Sequence, residues 1–317
     1  MKTLNDYFKD YDDSIRLKQS DYNIIREKRD TVLKEFKEDE SMMSFKDINL
    51  GSYRLFTGVK YKDNNYDIDC GILLNIKEKE LENYDAKKCK NMVFNAIHEV
   101  REKTYKNKCI TVEYFKKDSP IFHVDFPVFA YDEEKNKYYL AEGKQHENVL
   151  WKESHPDKVI DYLNLDNSDY KRIVRLLKKW NNKAFANERK DVMAPGIGLT
   201  VEAREWFSNN KYEDDLSTII AIMDNLKKIS LNGSIYKMIK SDISTDNIYY
   251  KMNSDSENVY KFNEIVSGHL DLLKEAKEKY SDSIYEAYRL IKKVFPEFPE
   301  PEKESARESF SSNARYA

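Results

Sequence analysis

Tyr66-Asp67-Ile68-Asp69-Cys70-Gly71-Ile72-Leu73-Leu74-Asn75-Ile76, residues 66–76, reads as a strand rich in β-branched and apolar residues. Asp67 and Asp69 are two apart, so a pleated strand turns both carboxylates to one face. The residues after them are apolar in succession, the pattern of a strand buried on both faces. Carboxylates at the mouth of such a strand lose hydration and repel one another, and a divalent cation relieves both penalties. The plainer reading is a strand with one solvated face.

Upstream, Gly51-Ser52 marks a turn, and Asp63-Asn64-Asn65 marks a second one just before the strand. Gly51 permits close backbone approach, and Ser52 adds a hydroxyl beside amides that could face phosphate oxygens. Residues 11–40 carry Ile15, Tyr22, Ile25, Val32 and Phe36 at roughly helical spacing and predict one long helix. Downstream, 85–104 reads as helix, and 109–115, 121–131 and 138–141 read as strands. Within 121–131, His123-Val124-Asp125-Phe126-Pro127 sets an acid inside an apolar run. Asp125 must then bind a cation or pair with a core Lys or Arg. His123 could ligate metal or act as a base, though a satisfied core histidine is the simpler role.

From Trp151 onward helical patterns dominate, at 156–163, 169–187, 199–209, 212–229, 256–280 and 283–294. A mixed first half and an all-α second half follow. In 169–187, Ile173, Leu176, Leu177 and Trp180 form the buried stripe, which leaves Arg175, Lys178 and Lys179 partly exposed. A lysine at the edge of that stripe could reach a phosphate as a point charge, or simply belong to a solvated basic face. Ala194-Pro195-Gly196-Ile197-Gly198-Leu199-Thr200 is a turn and a helix start, whose glycines either face amides towards a ligand or join two helices. Trp151, Trp180 and Trp206 read as core.

The 317 residues are 40% hydrophobic, enough for two lobes. With 54 basic and 57 acidic residues the net charge is -3, so no overall field draws the chain to nucleic acid. Cys70, Cys89 and Cys109 form no CxxC pair and are odd in number, which points to reduced core thiols. The first residues lack an apolar h-region, and no apolar run nears the roughly 20 residues of a membrane span, so a soluble cytoplasmic protein is expected. Pro296 onward has no periodic apolar face and reads as a flexible tail to Ala317.

Taken in order, Gly51-Ser52, the Asp67/Asp69 pair, His123-Val124-Asp125-Phe126-Pro127, Leu177-Lys178-Lys179-Trp180 and Pro195-Gly196-Ile197-Gly198-Leu199-Thr200 resemble the CD-NTases, the cyclic-oligonucleotide synthases of antiphage CBASS systems. The nearest likeness is to the branch of cyclic GMP-AMP synthases related to the cholera dinucleotide cyclase. The resemblance implies an α+β fold, a polymerase-β-like nucleotidyltransferase core with an α-helical second lobe. The core would span 1–155 with the long N-terminal helix, the lobe closing the cleft 156–295, and the tail 296–317. Asp67, Asp69 and Asp125 would be the catalytic and metal-binding triad, holding two Mg²⁺ ions or Mn²⁺ in their place. Gly51, Ser52, Lys178 or its neighbour Lys179, and Gly196 would bind nucleotide. Leu50 stands where such synthases often carry Gln, and Gly196 where they often carry Ser. Purine triphosphates, ATP and GTP, are the implied substrates, joined into a cyclic di- or oligonucleotide with release of pyrophosphate. An E1/E2-like partner acting on Ala317 is a further implication, with a tail of no role as its alternative. No membrane and no stable nucleic-acid partner is expected. Two competing functions remain open: a related transferase that modifies RNA or protein, and a silent nucleotide-binding scaffold.

Overall fold

The computed structural model describes residues 2–60, 66–98, 101–116 and 119–301. Its strands are β1 (Phe45–Leu50), β2 (Tyr66–Asn75), β3 (Glu102–Tyr105), β4 (Ile110–Lys116), β5 (Ser119–Phe126), β6 (Val128–Asp132), β7 (Lys137–Glu142) and β8 (Leu150–Ser154). The α-helices are α1 (Leu4–Ile15), α2 (Gln19–Glu38), α3 (Gly51–Leu55), α4 (Ala86–Asn95), α5 (Pro156–Leu163), α6 (Ser168–Ala184), α7 (Gly196–Asn209), α8 (Asp215–Ile229), α9 (Ser256–Tyr280) and α10 (Ile284–Val294). The class is the expected α+β: one mixed sheet, then a helical lobe.

β2 lies at the heart of the sheet. β1 runs antiparallel along one edge of it, and β5 and β6 run parallel along the other. The β2–β5 and β2–β6 registers share one offset, so β5 and β6 form a single strand interrupted at Pro127, which has no N–H to give. The Pro127 carbonyl still accepts from Ile72 at 2.9 Å. β4 and then β3 extend the sheet beyond β5, and β7 and then β8 extend it beyond β6, all antiparallel.

Alternation along β2 decides the faces. Ile68, Cys70, Ile72 and Leu74 are buried with Ile25, Val32 and Phe36 of α2 and Cys89 and Val93 of α4. Asp69, Gly71 and Leu73 occupy the opposite parity, where Leu73 meets Phe129, Tyr138 and Leu140. Two helices thus cover one face of the sheet, and the acid positions belong to the other.

The region read as one helix over 11–40 is two helices. Arg16 is extended and bridges Val59, and the Lys60 amide donates to the Ile15 carbonyl at 2.6 Å, so chain from another part of the molecule takes up the backbone groups at the break. The two helices then serve different cores. α2 packs on the sheet, whereas Tyr7, Phe8, Tyr11 and Ile15 of α1 join Ile173, Val174, Leu177 and Trp180 of α6 and the helices after it. β1, β3 and β8 lack a sequence signature because they are half-exposed and lie at or near sheet edges. The helix read over 85–104 stops at Asn95, and β3 follows.

Residues 297 and 298, read as part of the flexible tail, are packed instead. Phe298 is buried, with its ring 4.7 Å from Phe8 and 5.7 Å from Tyr11, and Glu297 pairs with Lys179 and Lys183, each at 2.9 Å. A sequence without periodicity can still seat one aromatic anchor, because a single buried ring needs no repeat. Ala317 lies outside the described residues. Among those described, no helix is long and apolar enough to cross a membrane.

Candidate active site

β1 ends at Leu50, whose register partner on β2 is Asp69. The chain then turns into the single-turn helix α3 through Gly51, at φ +57. A Cβ at Gly51 would stand 1.9 Å from Asp69 Oδ2, so the turn lies directly over that carboxylate and only glycine fits there. Asp69 is in turn the register partner of Asp125 on β5. Partners on neighbouring parallel strands are about 4.8 Å apart and share a face, which sets the two acids side by side.

Asp125 accepts a hydrogen bond from the Thr111 hydroxyl, and Lys106 stands 3.5 Å from its Oδ1. The lysine is half exposed, so this is not the core ion pair that was the alternative for Asp125. Cys109 lies close by, and burial, reinforced by the Asp125 charge, pushes its thiol up to about 12. Asp67 pairs in register with His123, two positions before the Asp69–Asp125 pair. The Asp67 side chain lies outside the described residues, and among those described no three His, Cys, Asp or Glu side chains form a metal-binding group. Two adjacent carboxylates give the hard oxygen donors that Mg²⁺ and Mn²⁺ prefer, so the donor set fits those ions.

Next to the acids is a cavity of about 500 Å³. Gly51, Ser52 and Asp69 form part of its wall, and Lys178 and Gly196 face it from α6 and α7. Asp125 is not among its lining residues; it adjoins the cavity through Asp69. Lys178 Nζ donates to the Thr57 hydroxyl at 3.2 Å. A Cβ on Gly196 would meet Lys178 Cε at 3.5 Å, an ordinary contact.

Lys179 does not share this site. It is 3% exposed, pairs with Glu297, and donates to the Lys60 carbonyl at 3.1 Å. Arg175 is likewise buried, held by Asp12 at 2.6 and 2.7 Å, rather than partly exposed. A helix flanked by packing on several sides buries more than one stripe, and sequence periodicity reports only the most apolar one. The residues missed by sequence reasoning include Thr57, Asn181, Asn182 and Thr200, with an apolar wall of Leu55, Ile160, Leu163 and Ile197. Asn182 is four residues after Lys178 on α6, so helical spacing alone could have found it. Thr57 and the apolar wall come from other elements and had no such signal. No aromatic side chain among the described residues lines the cavity.

Lys90, fully buried on α4, fastens the β3–β4 turn that carries Lys106. Its ammonium donates to the carbonyls of Lys106 and Asn107, each at 2.8 Å, and of Gly143 at 3.0 Å. Burial draws it down to about 8 from its ordinary 10.5. The unfolded chain therefore holds a proton that the folded chain sheds between those values, and this group's contribution to stability grows as pH rises through that window. Relative to Lys90→Met, the wild-type chain is expected to gain about 2 kcal/mol between pH 7 and pH 9.5. Urea unfolding at both pH values measures it, and identical pH dependence in the two proteins would exclude titration of Lys90 in this range.

Residues 46–129 match the family model described as cyclic GMP-AMP synthase DncV-like, nucleotidyltransferase domain. Among solved structures, Vibrio cholerae DncV cyclic AMP-GMP synthase with nonhydrolyzable GTP is 14% identical, with TM-score 0.75 over 94% of this chain and 97% of that one. The same enzyme with the linear intermediate 5′ pppA(3′,5′)pG gives 14% identity and TM-score 0.73, over 93% and 97%. Escherichia coli MS115-1 CdnC with ATP gives 14% and 0.67, over 93% and 99%. No curated protein matches the chain. The fold is that of the DncV-like nucleotidyltransferases.

Proposed function

We propose that this chain is a CD-NTase that joins nucleoside triphosphates into a cyclic di- or oligonucleotide, which serves as a signal in antiphage defence; its DncV-like domain and fold support that reading. One observation carries the reading. Asp69, beside Asp125 in register, meets the Gly51-Ser52 turn at a cavity that the Lys178 side chain also lines. That is a place for a triphosphate between carboxylates that can hold divalent ions and a cation that can neutralise phosphate charge. DncV structures that hold GTP analogues and a linear pppApG intermediate support the same substrate class here.

In this mechanism Asp69, Asp125 and Asp67 would hold two Mg²⁺ ions, which when bound would neutralise triphosphate charge and acidify the acceptor hydroxyl. Ser52 orients the donor phosphates from the turn, and Lys178 neutralises them from α6. Leu55, Ile160, Leu163 and Ile197 offer apolar surface to base faces and keep water from the donor. The acceptor ribose oxygen attacks the α-phosphorus as the bond from that phosphorus to the bridging oxygen breaks, and pyrophosphate leaves. Asp125 takes the hydroxyl proton. A linear product that re-enters with its own triphosphate in the donor position is closed by the same residues. Positioning and charge neutralisation supply the rate.

The chain incubated with all four NTPs and Mg²⁺ or Mn²⁺ should release pyrophosphate and yield a small product lacking a terminal phosphate, read by mass spectrometry. Tight NTP binding with no such product would favour a silent scaffold. Label transferred to RNA or protein instead would favour a modifying transferase.

A further inference from the structure

The geometry points to Thr57 as a positioning residue that sets the distance between the two phosphate contacts, Ser52 and Lys178. This rests on the reading of Lys178 as a phosphate contact, and deepens it.

The argument starts from how α3 ends. The Phe56 amide donates to the Tyr53 carbonyl at 3.4 Å and the Thr57 amide to the Ser52 carbonyl at 3.0 Å, with Phe56 left-handed at φ 57. These two bonds are those of a Schellman turn, in which the residue after the left-handed position reaches back to the third residue before the cap. Glycine normally takes that left-handed position, and here a phenylalanine accepts the backbone cost. Arg175, itself locked by Asp12, donates to the Phe56 carbonyl at 2.9 Å and holds it there. Thr57 is thus tied to Ser52 by a backbone bond that the fold enforces from both sides.

From that fixed point the Thr57 side chain, fully buried, accepts from Lys178 Nζ at 3.2 Å, and the Thr57 carbonyl lies 3.4 Å from the same ammonium. A lysine has four rotatable side-chain bonds and carries a large rotamer entropy. Two oxygens of one rigid residue restrict its ammonium to the cavity wall that also holds Ser52. Ser52, Thr57 and Lys178 all line that cavity. A triphosphate then meets two contacts whose separation is already set, and the ordering cost of the lysine falls before binding.

The test is the affinity of the full chain for inorganic tripolyphosphate in Mg²⁺, by calorimetry, with KM and kcat for NTPs alongside. Thr57→Val keeps shape and burial and removes the hydroxyl; it should weaken tripolyphosphate binding about threefold to tenfold and raise KM in step, with kcat nearly unchanged. Thr57→Ser, which keeps the hydroxyl and loses the methyl, should recover most of the affinity. In a Lys178→Met background, Thr57→Val should weaken binding by no more than about 1.5-fold further, since the two residues act as one unit. Wild-type affinity in Thr57→Val, loss of equal size in Thr57→Ser, or full additivity with Lys178→Met would each overturn the assignment. Unchanged binding in Lys178→Met alone would instead remove the phosphate role of that lysine, and this proposal with it.

Discussion

Asp69→Asn is expected to lower product formation from NTPs by about a thousandfold or more while the fold survives. The carboxylate is neighbour in register to Asp125 and lies beneath Gly51, with its Oδ2 too near to leave room for a Cβ there. Asparagine has nearly the same shape, so the packing around the turn is kept. What changes is charge. One of two adjacent anions disappears while an isosteric amide keeps the side chain's place, so the melting temperature in EDTA should stay within a few degrees of the wild type. Loss of product with retained melting temperature is the signature of a carboxylate kept for its charge. Undiminished turnover in the purified variant would defeat the catalytic assignment of Asp69. Equal loss of activity and stability would make it a structural residue instead.

Gly51→Ala should have the second largest effect. Its backbone is left-handed, which costs an alanine about 1–2 kcal/mol, and the added methyl would overlap the Asp69 carboxylate. Either the turn or the carboxylate must move, and both belong to the proposed site. We expect destabilisation of about 1–3 kcal/mol in urea unfolding, and at least about a hundredfold loss of turnover, because a shift near 1 Å at reacting groups is costly. Gly196→Ala is the stability control. Its backbone is not left-handed and its new methyl would make an ordinary contact with Lys178, so its stability should equal or exceed that of the wild type by up to about 1 kcal/mol. Similar destabilisation in both variants would show that the Gly51 turn is not special.

The acid strand, the change from mixed to helical halves and most helix bounds of the second half could be read directly, because each is a local pattern. The unbroken apolar run after Asp69 marks a strand buried on both faces, and period 3.6 in 169–187 marks a helix with a buried stripe. The edge strands could not be read, since half-exposed segments need no apolar alternation. The break at Arg16–Lys18 was equally hidden, because Val59 and Lys60, which supply the backbone partners there, are distant in sequence.

At the site the division is sharper. Residue type, spacing and the family resemblance mark Gly51, Ser52, Asp67, Asp69, Asp125, Gly196 and two adjacent lysines as candidates. Which of Lys178 and Lys179 faces the cavity was settled by packing: one hundred degrees of helical rotation sends the first to Thr57 and the second to Glu297. The same holds for Thr57 and the apolar wall, which come from three helices and the loop after α3. Residue type and spacing are properties of a segment and survive in the linear chain, whereas partnership between segments exists only after the sheet and the helical lobe have met.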